Sequence, residues 1–199
     1  MTGFVDTMRL REQGEEDTWF ARHDRDLVEA LHRRGCPVEV VSGGQTGVDR
    51  AALDAALDLG LTVSGWCPLG RRAEDGSIPG RYALRETSTS DYAQRTEWNV
   101  RDSDATLILY RGALTGGSAR TAEHAARYGR PLLALDLDAA PDPVAAVDWV
   151  RRHGVRVLNC DGPRESGAPG IYAEARPWLA AFLKALAAAP IQNLAVVPE

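Results

Sequence analysis

Short apolar runs alternate with segments of helical spacing along most of this chain of 199 residues. The apolar runs, each a predicted strand, lie at 38–41, 61–65, 105–110, 131–137 and 155–160. The predicted helices cover 48–59, 90–102, 118–128, 142–153 and 171–188. Strands that alternate with helices at this spacing build parallel sheets covered by helices. The sequence therefore predicts an α/β fold with a mainly parallel sheet of about five strands.

Glycine marks the places where the predicted helices would end. Gly60, Gly129 and Gly154 each follow a helical segment and precede an apolar run, where a left-handed residue commonly ends a helix. Upstream, apolar residues recur at helical spacing over 18–34, whereas residues 1–16 are polar and without periodicity. We therefore expect a loose N-terminal arm at 1–16 and a single domain over 17–199.

Composition narrows the classes of function. The formal net charge of −5 argues against nucleic acid or an anionic membrane as the main partner, because both attract basic surfaces. The three cysteines, Cys36, Cys67 and Cys160, form no CxxC pair, and the four histidines lack ligand spacing, so no disulfide framework or metal site is predicted. The polar N-terminus and the lack of a long apolar stretch predict a soluble, cytoplasmic protein.

A glycine-rich turn, Ser42–Gly47, follows the first predicted strand. Its glycines allow positive φ and a close approach of the backbone to a ligand. The next segment begins a helix, whose free N–H groups and positive dipole end attract anions. The turn therefore predicts a phosphate site, although a tight turn without a ligand is the alternative. The expected contacts are Gly43, Gly44, Gln45, Thr46 and Gly47.

Two further loops follow predicted strands. The loop 111–118 ends in Thr115, Gly116, Gly117 and Ser118 ahead of a helix, and the third loop covers 159–166. Ligands of open parallel sheets bind beyond the carboxyl ends of the strands, where the strand order reverses. If the strands are neighbours, we expect the three loops to share one cleft. Neither a Walker A sequence nor an intact GxGxxG is present, which argues against a P-loop ATPase and the usual NAD site.

Residues around these loops are further candidates for ligand contact. The long connection from Trp66 to Ser90 is rich in Gly, Pro and Arg, and long ordered loops are commonly functional. Within it, Arg71 and Arg72 suit phosphate because guanidinium groups match oxyanions. At the start of the first helix, Asp49 is either an acid favoured by the helix dipole or a contact for a ligand hydroxyl or metal.

Several ordered motifs resemble those of one family. They are SGGQTGVDR at 42–50, GWCPLGR at 65–71, AEDG at 73–76, and the segments 92–99, 114–118 and 162–164. From about Val38 to about Phe182 the chain resembles the molybdenum carrier family, the YpsA-related branch of the SLOG superfamily.

The resemblance implies a Rossmann-like, three-layer, doubly wound domain, commonly homo-oligomeric, that carries the molybdenum cofactor (molybdopterin) by its phosphate. Residues 43–47 and 115–118 match the family's two phosphate-proximal loops. On this leading hypothesis Arg71 and Arg72 close over the phosphate and Trp66 covers the ring. No catalysis is required of such a carrier, so whether the protein is an enzyme stays open.

The wider superfamily supplies an alternative. It contains LOG-type phosphoribohydrolases, which cleave the N-glycosidic bond of a nucleoside 5′-monophosphate. Gly116–Glu123 resembles their PGGxGTxxE motif with Thr115 in place of the proline, and Arg95 with Glu97 resembles their Arg-rich catalytic helix. Such an enzyme would use Glu123, Arg95 and Glu97. A third hypothesis is a nucleotide-sensing module that signals through the N-terminal arm.

Overall fold

The computed structural model describes residues 38–188. The predicted arm at 1–16 and the helix predicted over 18–34 lie outside these residues. Its strands are β1 (Glu39–Val41), β2 (Val63–Ser64), β3 (Trp66–Cys67), β4 (Arg72–Ala73), β5 (Gly76–Ser77), β6 (Arg85–Glu86), β7 (Ala105–Tyr110), β8 (Leu132–Asp136) and β9 (Val157–Asp161). Its helices are α1 (Val48–Asp58), α2 (Tyr92–Arg101), α3 (Gly116–Arg127), α4 (Pro143–Arg152) and α5 (Ile171–Ala188).

Five of the strands form one parallel sheet in the order β2-β1-β9-β7-β8. The last strand within residues 38–188, β9, therefore occupies the centre of the sheet. If the five strands are renumbered so that β9 is strand 1 and β1, β2, β7 and β8 follow as strands 2 to 5, the order across the sheet becomes 3-2-1-4-5. This is the doubly wound Rossmann order. The predicted α/β fold is confirmed, and every strand and helix predicted downstream of residue 37 is present with bounds shifted by at most two residues.

The helices form two groups on the sheet. α5 packs against α1 and α4, whereas α2 packs against α3. Right-handed crossovers put α1 and α3 on opposite faces, because the chain moves in opposite directions along the sheet after β1 and after β7. The three central strands carry fully buried residues such as Val40, Leu107 and Leu158, which pack with Leu53 and Phe182 in the core. No helix within 38–188 is long and apolar enough to cross a membrane.

The connection between β2 and α2 folds into two small sheets. β3 pairs with β6 in parallel, and β4 with β5 forms an antiparallel hairpin. Ile78, Tyr82 and Leu84 anchor the connection because their side chains are buried in the main core. These two-residue strands were not predicted, since such short strands carry no periodicity. The connection packs tightly on the turn after β1, where a Cβ at Gly65 would overlap the carbonyl of Ser42.

Candidate functional site

The strand order gathers three loops at the carboxyl edge of the sheet. We call them loop A (Ser42–Gly47), loop B (Arg111–Thr115) and loop C (Gly162–Gly170), which follow β1, β7 and β9. Because β9 lies between β1 and β7, loop C lies between the other two. The three strands that precede these loops are therefore neighbours, as a shared cleft requires. The strand order reverses between β9 and β7.

Several backbone donors in and just after loop A are used within the protein. Gln45 N–H donates to Asp49 Oδ2 at 3.2 Å, and Thr46 N–H donates to the Gln45 side chain at 3.0 Å. At the start of α1, Val48 N–H donates to the carbonyl oxygen of Pro163 at 3.2 Å. Loop C thus caps α1 with a carbonyl, in the place where a bound anion would accept.

Two glycines of loop A allow close packing. A Cβ at Gly43 would overlap the guanidinium of Arg95, and a Cβ at Gly47, whose φ is 78°, would overlap the carbonyl of Pro163. These contacts give the glycines a structural role that needs no ligand. The contact of Gly43, Gly44 and Gly47 with a phosphate stays a prediction.

In the first turn of α3, by contrast, the backbone N–H groups are unpaired within residues 38–188. Thr115 is the N-cap residue, yet its side chain makes no capping hydrogen bond. Among the described residues, no acceptor pairs with the backbone N–H groups of Gly116, Gly117 and Ser118. A Cβ at either glycine would meet no atom within 4 Å, and both glycines are exposed. Free N–H groups at the positive end of a helix dipole form an anion site.

Beside this helix start, three charged side chains from three elements meet in the interior. Arg95 of α2 lies 3.1 Å from Asp49 Oδ2 of α1 and 4.0 Å from Asp161 Oδ1 at the end of β9. Their exposed fractions are only 9%, 1% and 6%. We call Asp49, Arg95 and Asp161 the acid cluster. Its two carboxylates share a single guanidinium, which leaves one negative charge without a cation when both are ionised.

Burial and mutual repulsion change how these acids titrate. Burial, and then the charge of Asp49, raises the pKa of Asp161 to about 7 against the opposing effect of Arg95. Burial also raises the pKa of Asp49, while Arg95 opposes the change. Nearby, burial and the two carboxylates raise the pKa of the Cys160 thiol, so this cysteine stays protonated. One carboxyl group of the pair therefore gains a proton close to neutral pH.

Sequence reasoning placed Asp49 and Arg95 among the candidates but did not single out Asp161. Its signal was its position, an acid at the carboxyl end of a strand directly before the Gly-Pro of loop C. The three residues are far apart in the chain, and only the strand order makes them neighbours.

Comparison with known proteins fits this architecture. The model of the circularly permutated YpsA SLOG family matches residues 40–183. The chain belongs to this SLOG family. The family resemblance predicted from the motifs is confirmed, and the permutation agrees with a sheet in which the Rossmann order starts from the last strand.

A solved structure gives the same picture for this SLOG domain. The chain is 46% identical to "Putative molybdenum carrier protein" from Syntrophus aciditrophicus SB, with a TM-score of 0.70. The match covers 73% of this chain and 94% of the other. A comparison with curated proteins gives no match.

The arginines and the tryptophan predicted to contact ligand take different places in the SLOG domain. Arg71 donates to the carbonyl oxygens of Ile78, Pro79, Tyr82 and Leu84 at 3.0–3.1 Å, so its guanidinium holds the connection together. Arg72 is exposed on β4.

Trp66 packs against α2 rather than over the first turn of α3. Its Nε1–H donates to Asp102 Oδ2 at 2.8 Å. Its ring packs edge to face against the ring of Trp98, with 4.8 Å between the ring centroids. Trp66 and Arg71 thus have partners within the protein, and contact of Trp66, Arg71 or Arg72 with a ligand stays a prediction.

Arg71→Ala is expected to destabilise the SLOG domain by about 2 kcal/mol, because four carbonyl groups of a partly buried loop lose their charged donor. Urea unfolding followed by circular dichroism measures the change. Arg72→Ala is the matched control, since the neighbouring side chain is exposed, and its unfolding midpoint should equal that of the wild type. Equal midpoints for both variants would contradict the structural role of Arg71.

The candidate catalytic residues of the hydrolase alternative are not gathered in one place. Glu97 accepts from the Tyr128 hydroxyl at 2.6 Å and pairs with Arg127 at 3.2 Å. Arg95 instead faces Asp49 and Asp161, and Glu123 is exposed on α3. The described contacts thus do not join the arginine with either glutamate.

A concave region lies between α1, α5 and the β4–β5 hairpin. This cavity of about 640 Å³ is lined by Arg50, Asp54, Glu74, Tyr82 and Tyr172, among others. Its acids already have donors: Asp54 accepts from both tyrosine hydroxyls, and Glu74 accepts from the hydroxyl groups of Thr46 and Ser166. Within residues 38–188 no group of three or more His, Cys, Asp or Glu is arranged to hold a metal ion.

Proposed function

We propose that this SLOG domain binds and carries a phosphate-bearing cofactor, the molybdenum cofactor, at the cleft between loop B and loop C. The observation that carries the proposal is the uncapped start of α3, with the free N–H groups of Gly116, Gly117 and Ser118 at the reversal of strand order. Support for the choice of cofactor comes from the solved structure that is 46% identical and bears the name of a molybdenum carrier.

The residues present suit a phosphate group. Three backbone N–H groups and the helix dipole supply positive potential, and the absence of Cβ atoms at Gly116 and Gly117 lets a bulky oxyanion approach the backbone. The hydroxyl of Thr115 at the N-cap is unused by the helix and is available as a further donor. The phosphate would thus be held mainly by the backbone, and the acid cluster would lie beneath it.

Carriage is favoured over hydrolysis because Glu97 is engaged by Tyr128 and Arg127, away from the guanidinium of Arg95. We therefore expect no release of free base from AMP by the purified protein. Release of base that is lost in Glu123→Gln would instead support the phosphoribohydrolase alternative. Homo-oligomeric assembly and a sensing role for residues 1–16 stay predictions.

Identification of the ligand that copurifies from native cells tests the proposal directly. The full-length, untagged protein, isolated under anaerobic conditions, is expected to carry a molybdenum-containing pterin in about equimolar amount. Mass spectrometry identifies the pterin, and metal analysis measures the molybdenum. A nucleotide in place of the pterin would refute the choice of cofactor while keeping the phosphate site. Protein isolated without any phosphate-bearing compound would contradict the carrier function.

A further inference from the structure

The acid cluster is joined to the proposed phosphate site by one side chain. The hydroxyl of Thr121, in the second turn of α3, donates to the carbonyl oxygen of Gly117 at 3.2 Å, and the same side chain lies close enough to Asp161 to lower the pKa of that carboxyl group. Thr121 therefore lies between Asp161 and the first turn of α3. A charge at Asp161, which is 6% exposed, acts on an anion at α3 partly through the protein interior.

The groups around Asp161 leave its negative charge poorly compensated. Asp49 faces it from α1, Arg95 from α2, and the protonated thiol of Cys160 from β9, while Thr121 of α3 is uncharged. With both acids ionised the cluster carries one net negative charge.

Three atoms of this cluster also lack hydrogen-bond partners. They are Asp49 Oδ1, Asp161 Oδ2 and Arg95 Nε, all buried. Buried polar atoms without partners are rare and costly, and here they belong to three residues of one cluster. A proton on one carboxyl group turns an acceptor into a donor and removes the excess charge.

We propose that an oxyanion in the first turn of α3 is bound together with one proton on the Asp49–Asp161 pair. The ligand of this site is then a phosphate group together with a proton. The inference rests on the proposed function, because it needs the anion site at Gly116–Ser118. A divalent oxyanion repels a second negative charge on the acid pair, so the occupied site favours the protonated pair. The pair already titrates near neutral pH in the free protein, which makes the coupling measurable.

Calorimetry with sulfate as the probe tests the coupling, because sulfate stays a dianion from pH 6 to 9 and adds no titration of its own. Sulfate affinity is expected to be steady below about pH 7 and to fall up to about tenfold per pH unit above it. At pH 8 the heat of binding, compared between buffers of different ionisation enthalpy, should give close to one proton taken up per sulfate.

The outcomes separate this proposal from the proposed function. Sulfate binding with a flat pH profile and no proton uptake overturns the coupling and leaves the anion site intact. Absence of sulfate binding at every pH overturns both, since the anion site itself is then missing.

Variants locate the proton. Asp161→Asn should make sulfate affinity independent of pH and abolish proton uptake. Asp54→Asn is the matched control, because it removes another buried carboxylate that is held by Tyr82 and Tyr172 instead. If Asp161→Asn does not fold, Asp49→Asn replaces it, and proton uptake retained in the folded variant would contradict the assignment to this pair.

Discussion

Arg95→Met is expected to lower the free energy of unfolding by about 3–5 kcal/mol at pH 8. Methionine replaces the apolar stem of arginine but carries no charge, so two carboxylates with exposed fractions of 1% and 6% lose the guanidinium that lies 3.1 and 4.0 Å away. The cost comes from the uncompensated buried charge rather than from lost packing. Urea unfolding monitored by tryptophan fluorescence and circular dichroism measures it.

The loss of unfolding free energy in Arg95→Met should grow as the pH rises. Without Arg95, burial and mutual repulsion raise the folded pKa of both acids further above the unfolded value. The folded state then binds more protons than the unfolded state, so stability falls as pH rises from about 4 through the folded pKa values. The destabilisation is therefore largest at pH 8 and shrinks as the pH approaches 4.

Two further variants make the result specific. Arg95→Met combined with Asp49→Asn and Asp161→Asn should recover most of the lost stability at pH 8, because no buried charge remains. Arg120→Met, at an exposed position of α3, should unfold like the wild type. A pH-independent loss in Arg95→Met would show that the residue contributes by packing alone.

The regular elements of this fold were predictable because their signals are local. Alternation of apolar runs with helical spacing gave each main strand and helix, and the glycines that follow helices gave their ends. Gly60, Gly129 and Gly154 each have the positive φ that this position favours. The fold class followed from the same pattern, since alternating strands and helices allow few other arrangements.

The strand order was not predictable from these signals. Nothing in the residues 157–161 indicates that the last strand inserts at the centre of the sheet, between β1 and β7. The acid cluster depends on that order, because Asp161 meets Asp49 and Arg95 only when β9 adjoins β1. The sequence could therefore offer Asp49 and Arg95 as separate candidates but could not join them with Asp161.

The two glycine-rich loops look alike in sequence and differ in structure. After β1 the N–H groups of Gln45 and Thr46 donate to the side chains of Asp49 and Gln45, and the N–H group of Val48 donates to the carbonyl of Pro163. The first turn of α3 has no such partners. Composition shows that a backbone can approach a ligand, whereas the use of its donors depends on residues far along the chain.

Gly117→Asp is expected to weaken binding of inorganic phosphate by about 100-fold or more while the domain remains folded. The new carboxylate would lie among the N–H groups that the phosphate needs, and its charge would repel the ligand. The fold should tolerate it, because no atom lies within 4 Å of the added Cβ and an acid in the first helical turn is stabilising by about 0.3–1 kcal/mol. Equilibrium dialysis with labelled phosphate measures the affinity, and the copurifying cofactor should be lost as well.

Gly117→Ala is the matched control, since it adds the Cβ without the charge and keeps the backbone donor. It should retain phosphate binding and gain up to about 1 kcal/mol of stability from helix propensity. The same charge at Gly44 would be ambiguous, because φ is 73° there and a Cβ would lie 2.6 Å from Leu84 Cδ1, so lost binding could reflect distortion. If Gly117→Asp binds phosphate as tightly as Gly117→Ala, the anion does not occupy the first turn of α3, and the carrier site must be sought at loop A, where Gly43, Gly44 and Gly47 supply the remaining backbone donors.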